Sequence, residues 1–204
     1  MIVSPYRNIK QFTRILVEPY HMNSDIENHM KMILKKKVEK KCNKNGYIDE
    51  VYRIIEYSHG FMPAENLTGG AIYNISYHCK ICVPVENTII IGLVKVINQE
   101  LVVSINGPIM IFIPKSNVDS NIWDITEGYI YKKEKGRRLV SGDYVKILIE
   151  NKRINQNDSQ IKTIGKLLEL ATPEEIDTYF GNKLLDNKVE EIKDNEAVVN
   201  NFIF

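Results

Sequence analysis

The feature that most constrains this chain is the run from Val83 to Pro114, VPVENTIIIGLVKVINQELVVSINGPIMIFIP. Three β-branched segments, Ile89 to Ile97, Leu101 to Ile105 and Ile109 to Ile113, are separated by Asn98-Gln99-Glu100 and Asn106-Gly107-Pro108. β-Branched side chains fit a pleated surface, and asparagine, glycine and proline interrupt it, so the pattern predicts three consecutive strands. The short gaps make neighbours antiparallel. Both faces of these strands read as largely apolar, which suits a small closed barrel packed against something else. Barrels of this size bind oligonucleotides more often than they catalyse reactions.

Around this run the pattern changes. Phe12 to Glu18 alternates and stops at Pro19, predicting a strand. Ser24-Asp25-Ile26-Glu27 fits a capping box, and Ile26, Met30, Ile33, Leu34 and Val38 recur at helical spacing, predicting a helix from about Asp25 to Lys41. Asn45-Gly46 marks a turn, Tyr47 to Tyr57 and Ala71 to Val83 read as strands, and Ser58 to Gly70 reads as a loop. After the barrel's first three strands comes a polar stretch, Lys115 to Arg138, and then strands over Tyr144 to Glu150 and Gln160 to Leu170. A second capping box, Thr172-Pro173-Glu174-Glu175, opens a short helix. The expected fold is therefore an α+β N-terminal domain of antiparallel strands and one main helix over 1–84, and an all-β barrel over 85–171. A short helix and an acidic tail ending in Phe202-Ile203-Phe204 follow over 172–204.

Composition narrows the function. No run of 18 apolar residues marks a membrane span, and the first residues lack the basic start and apolar core of a signal peptide. Three cysteines without a secretion signal favour a reducing, intracellular compartment. A net charge of +1 means that any nucleic-acid face is local. The 30 isoleucines and 20 asparagines, used alongside lysine, are what AT-rich coding favours.

No residues are assigned a catalytic role, and no cofactor is expected. The four histidines lack metal-site spacing, no phosphate-binding glycine loop is present, and no serine sits in a nucleophile elbow. Cys79-Lys80-Ile81-Cys82 has the spacing of a metal knuckle, but it falls inside a strand pattern, where residues three apart face opposite sides, so packed thiols are expected and no metal. Lys31 to Lys44 holds seven lysines, read as a solvated helix face or as a face for phosphate or a partner. Trp123 to Arg138 sets Trp123, Tyr129 and Tyr131 beside Lys132, Lys133, Lys135, Arg137 and Arg138. Aromatic faces stack on unpaired bases while cations track phosphate, so these eight residues are the candidate RNA-binding set, with burial of Trp123 and one tyrosine as the alternative.

The order of motifs resembles the larger stalk subunit of multisubunit DNA-dependent RNA polymerases, the family that includes subunit seven of RNA polymerase II and its archaeal counterpart. The resemblance is carried by Val17-Glu18-Pro19, Val38-Glu39-Lys40-Lys41-Cys42, Gly46-Tyr47-Ile48, Ile75-Ser76-Tyr77, Pro84, Gly92-Leu93-Val94, Val96-Ile97-Asn98, Gly107-Pro108 and Phe112-Ile113. Gly142-Asp143-Tyr144-Val145 is similar to the G-D-x-V of S1-type barrels. The series runs unbroken over roughly residues 9 to 171. It implies an OB/S1-like barrel and a tip domain that docks on the polymerase core through Phe61, Met62, Pro63, Gly69 and Gly70. It also implies a smaller, subunit-four-like stalk partner in the groove between the halves, and nascent single-stranded RNA on the barrel. Catalysis would lie in other subunits. Divergence together with the AT-rich composition suggests a homologue from a nucleocytoplasmic large DNA virus. That implies the host cytoplasm and the virion as its location, and the nucleus otherwise. A free-standing S1-type RNA-binding protein is the alternative reading.

Overall fold

The structure is a computed structural model that describes residues 2–98, 100–126, 129–133 and 136–181. Strands β1 (Tyr6–Val17), β2 (Lys41–Asn43), β3 (Gly46–Tyr57) and β4 (Ala71–Cys82) form an antiparallel sheet in the order β1-β4-β3-β2. Helix α1 (Ile26–Val38) packs on it, burying Met30 and Leu34 in one cluster with Ile15, Val17, Val51 and Tyr77. Amphipathic spacing produces this contact: the apolar stripe of α1 meets the inward side chains of the strands.

The helix is shorter than its periodicity predicts, ending at Val38 instead of Lys41. Lys40 turns to φ 58°, and Lys41, Cys42 and Asn43 pair with Ile48, Tyr47 and Gly46. The side-chain oxygen of Asn43 accepts the N–H groups of Asn45 and Gly46 at 2.8 and 3.1 Å, which builds the expected turn. Pairing with a neighbouring strand thus displaces the last helical turn. The first capping box does not form either. Asn23 takes the Asp25 N–H at 2.9 Å, and Glu27 accepts the hydroxyl of Tyr57, at the end of β3, at 3.2 Å.

Strands β5 (Ile89–Ile97), β6 (Leu101–Asn106) and β7 (Ile109–Pro114) lie where the sequence places them. A short hairpin follows, β8 (Trp123–Thr126) and β9 (Tyr129–Lys132), and then β10 (Tyr144–Arg153) and β11 (Ile161–Leu170). Five of these close a barrel in the order β10-β11-β7-β6-β5. β5 runs antiparallel to both β6 and β10, and β11 runs parallel to β7. β6 and β7 alternate between buried and partly exposed residues, and the outward ones (Leu101, Val103, Ile105, Met110, Phe112 and Pro114) are apolar, in keeping with the expectation of largely apolar faces. The interior is filled by Ile111 and Ile147, and two glycines make room for them. A Cβ at Gly165 would lie 2.5 Å from Ile147 Cγ2, and one at Gly92 would lie 2.4 Å from Ser104 Oγ.

Residues 173–181 are helical and fastened to the barrel. Their capping box does form: Thr172 N–H donates to Glu175 Oε2 at 2.9 Å, and Glu175 N–H to Thr172 Oγ1 at 3.3 Å. The Asn106 amide donates to the Tyr179 hydroxyl and to the Ile91 carbonyl, both at 2.7 Å. Lys146 bridges Glu169 at 2.7 Å and Glu175 at 2.5 Å.

Two cores result. One lies between α1 and its sheet, the other inside the barrel, and β4 contributes to both: Cys79 is buried in the first, and Cys82, with Cys42, in the second. The Cys-x-x-Cys sulfurs thus diverge as strand geometry requires, and burial pushes the Cys79 and Cys42 thiols up to about 11.

Two expectations follow. Gly165→Val should overpack the barrel and lower stability by roughly 1–3 kcal/mol, read as a reduced urea midpoint. The hydrogen bond from Lys146 holds the Glu175 carboxyl below the usual range, so its contribution is present above the ordinary carboxylate value and lost as pH falls through the lowered one. Glu175→Gln should therefore be less stable than the parent at neutral pH, with the gap closing as pH drops below about 4.3. Urea melts across that range measure it.

Candidate functional site

Two surfaces carry the residues singled out in the sequence. The first is the loop between β3 and β4. Its conformation is built by Asn66, whose side-chain oxygen accepts the Thr68 N–H and hydroxyl at 3.1 and 2.6 Å and whose amide donates to the Gly70 carbonyl at 3.3 Å. The loop entrance is a short backbone ladder: Phe61 and Ile72 exchange both N–H···O bonds, at 3.0 and 2.8 Å. These ties hold the backbone while leaving apolar side chains outside. Phe61 is 66% exposed, Met62 59% and Leu67 98%.

Pro63 is half-buried beside them. Gly70 is buried against the end of β1, where a Cβ would stand 3.1 Å from Leu16 Cδ1. Gly69 takes φ 70°, a left-handed conformation that suits glycine, with Pro19 3.3 Å from where its Cβ would be. Leu16 and Tyr20 are themselves exposed. The five loop residues named from the sequence therefore belong to one end of the sheet, and that end presents an apolar patch. Such patches mark contact surfaces for other proteins. Leu67, Leu16 and Tyr20 were missed; they lie in unremarkable sequence, and only the fold sets Leu16, paired with Ile72, at the end of the sheet where Phe61 bridges Ile72.

The second surface is the β8–β9 hairpin. Trp123 pairs with Lys132, Ile125 with Ile130. Trp123 is 1% exposed, and its indole N–H donates to the Leu168 carbonyl at 2.6 Å. It belongs to the barrel core with Ile130 and Leu139, and no face is open to a base. The stacking role expected of it is thereby corrected: a large ring whose one donor finds a β11 carbonyl gains more from burial than from solvent.

The cations fare differently. After β9 the chain turns through Gly136 at φ 57°, with Gly136 N–H bonded to the Lys132 carbonyl and Lys132 N–H to the Arg137 carbonyl, both at 2.8 Å. This turn gathers Lys132, Lys133, Arg137 and Arg138. Lys133 donates to the Ser120 carbonyl at 2.6 Å, and Arg137 pairs with Asp143 at 2.7 Å. Lysines and arginines held in this way still present N–H groups outward. Tyr129 and Tyr131 lie on β9. Lys135 lies outside the described residues.

Among the described residues, the first surface is apolar and the second is a basic turn. No helix is long and apolar enough to cross a membrane among the described residues. Because Trp123 is the chain's one tryptophan, it reports on the assignment. Its fluorescence should be blue-shifted in the native protein, should move red on unfolding, and should stay unquenched when single-stranded RNA is added.

No family model matches the chain. A protein of Acanthamoeba polyphaga mimivirus that carries the name of a DNA-directed RNA polymerase subunit is 38% identical over 182 residues, spanning 89% of this chain and 92% of its own length.

Proposed function

Because the chain belongs to the family of this viral DNA-directed RNA polymerase subunit, we propose that it is a non-catalytic stalk subunit of such a polymerase. In this reading the sheet-and-helix unit docks on the core enzyme and the barrel contacts nascent RNA. The observation that carries it is the pairing, in one chain of this family, of an apolar sheet end with a five-stranded barrel behind it. The barrel's connectivity supports an OB/S1-like assignment: the first strand pairs with the second and fourth, and the third runs parallel to the fifth.

The roles then divide by chemistry. Phe61, Met62 and Leu67, held outside by the Asn66 turn, supply apolar area that a protein surface can cover. Lys132, Lys133, Arg137 and Arg138, gathered on the barrel's turn, supply phosphate contacts, which give sequence-independent affinity suited to an emerging transcript. A smaller stalk subunit is the expected neighbour of the groove between the two units. The whole chain's charge of +1 argues against the alternative of a free-standing RNA binder, which would want a more basic barrel.

Replacing Phe61 and Met62 with glutamate should reduce co-purification with the polymerase at least tenfold while leaving the circular dichroism spectrum unchanged; retained co-purification would overturn the docking assignment. Changing Lys132, Lys133, Arg137 and Arg138 to alanine should weaken single-stranded RNA binding and flatten its salt dependence, by about 0.7 in log–log slope for each phosphate that is no longer neutralised. An unchanged slope would remove this turn from the RNA face.

A further inference from the structure

The outer wall of the barrel carries an apolar face that neither core uses. Strand pairing sets Val96, Val103, Phe112 and Ile164 side by side across β5, β6, β7 and β11. A second row lies beside the first, because residues two apart on a strand share a face. It runs from Tyr144 on β10 through Leu93, Ile105 and Met110 to Lys162. Val96 is 45% exposed and Ile164 44%, and the apolar residues between them are half-buried. Apart from Tyr144, these apolar side chains stand outside both hydrophobic cores. The barrel is closed, so this wall offers no strand edge for main-chain pairing. A cover must engage it through side chains.

Chemistry narrows the occupant. The two rows hold one ring away from the helix, Phe112, and the cations Lys95 and Lys162 stand exposed at the margins. A nucleic acid needs several rings to stack on and cations along its track. An apolar peptide flanked by acids fits better, and the chain itself contains one. Residues 182–204 lie outside the described residues. They include Ala197-Val198-Val199 and Phe202-Ile203-Phe204, preceded by Asp186, Glu190, Glu191, Asp194 and Glu196.

The fold delivers this segment to the wall. The helix of residues 173–181 sets the Phe180 ring 5.8 Å from that of Tyr144, where the second row begins. The 15 residues 182–196 can span up to roughly 50 Å at about 3.3 Å each. Four strands at about 4.8 Å spacing are only about 15 Å across, so the reach is ample. Tethering gives an effective concentration on the order of millimolar, above that of a second copy in dilute solution.

We propose that segment 197–204 docks on this wall of its own barrel. Its apolar side chains cover the Val96–Val103–Phe112–Ile164 row, and its acidic neighbours face Lys95 and Lys162. The docked segment keeps an apolar face from self-association. The site uses the barrel alone, so it stands whether or not the stalk reading does.

The test uses the full chain with a nitroxide at Asn200→Cys; Cys42, Cys79 and Cys82 are buried and leave the introduced thiol to the label. In carbon–proton methyl spectra the Val103, Ile105 and Ile164 signals should lose most of their intensity. Ile15 and Ile48, in the core of the other unit, should keep theirs. Adding Phe202→Asp/Ile203→Asp should restore the wall signals. Ile164→Lys, which leaves both cores intact, should weaken the broadening at Val103 with Trp123 fluorescence unmoved. Undiminished wall signals in the labelled parent, or broadening that survives both sets of changes, overturn the docking. Spin-labelled chain mixed with isotope-enriched chain lacking the label should show no broadening; broadening there would reassign the wall to contact between copies. Equal wall-methyl shifts on adding oligouridylate, with and without Phe202→Asp/Ile203→Asp, would reassign it to RNA. None of these readouts involves the polymerase, so this docking and the stalk reading fail separately.

Discussion

The constraint on which the rest of the structure depends is the sharing of one strand between two cores. β4 is hydrogen-bonded on both sides, to β1 and β3, and its final residue is buried with the barrel. Gly46 lets the chains close there: a Cβ would meet the Cys82 carbonyl at 2.7 Å and Val83 Cγ2 at 2.6 Å. Backbone bonds fasten the two units, from Val3 N–H to Ile89, from Cys42 N–H to Asp158, and from Asn157 N–H to Cys42, at 3.0, 2.8 and 2.8 Å. Bonds that join main chains across a junction leave little freedom for one unit to swing on the other. The relative placement of sheet and barrel is thus a property of the fold and not of a linker.

That placement has a functional consequence. The apolar loop adjoins the Ala71 end of β4, and the barrel adjoins the Cys82 end. A strand of 12 residues spans roughly 40 Å at about 3.4 Å per residue. A surface suited to protein contact is therefore held at one end of a stiff strut, and the barrel at the other. A flexible tether between the two would spread the barrel's positions, whereas the strut keeps that separation fixed.

Much of this was legible in the sequence because it rests on local rules. Ile89–Ile97, Leu101–Asn106 and Ile109–Pro114 are strands because β-branched runs alternate with turn residues, and no tertiary contact was needed to see it. The failures share a cause, competition from distant partners. Two capping boxes of the same pattern had different fates: Glu175 stays with Thr172, whereas Glu27 is drawn to Tyr57, which lies far along the chain. Lysine spacing continues the α1 pattern beyond Val38, but Lys41 finds Ile48 and becomes a strand. The β8–β9 hairpin, four residues a side and mixed in charge, has no periodicity to read. Trp123 looked like a base platform because of its basic neighbours, and its burial depends on a Leu168 carbonyl that the local sequence does not reveal.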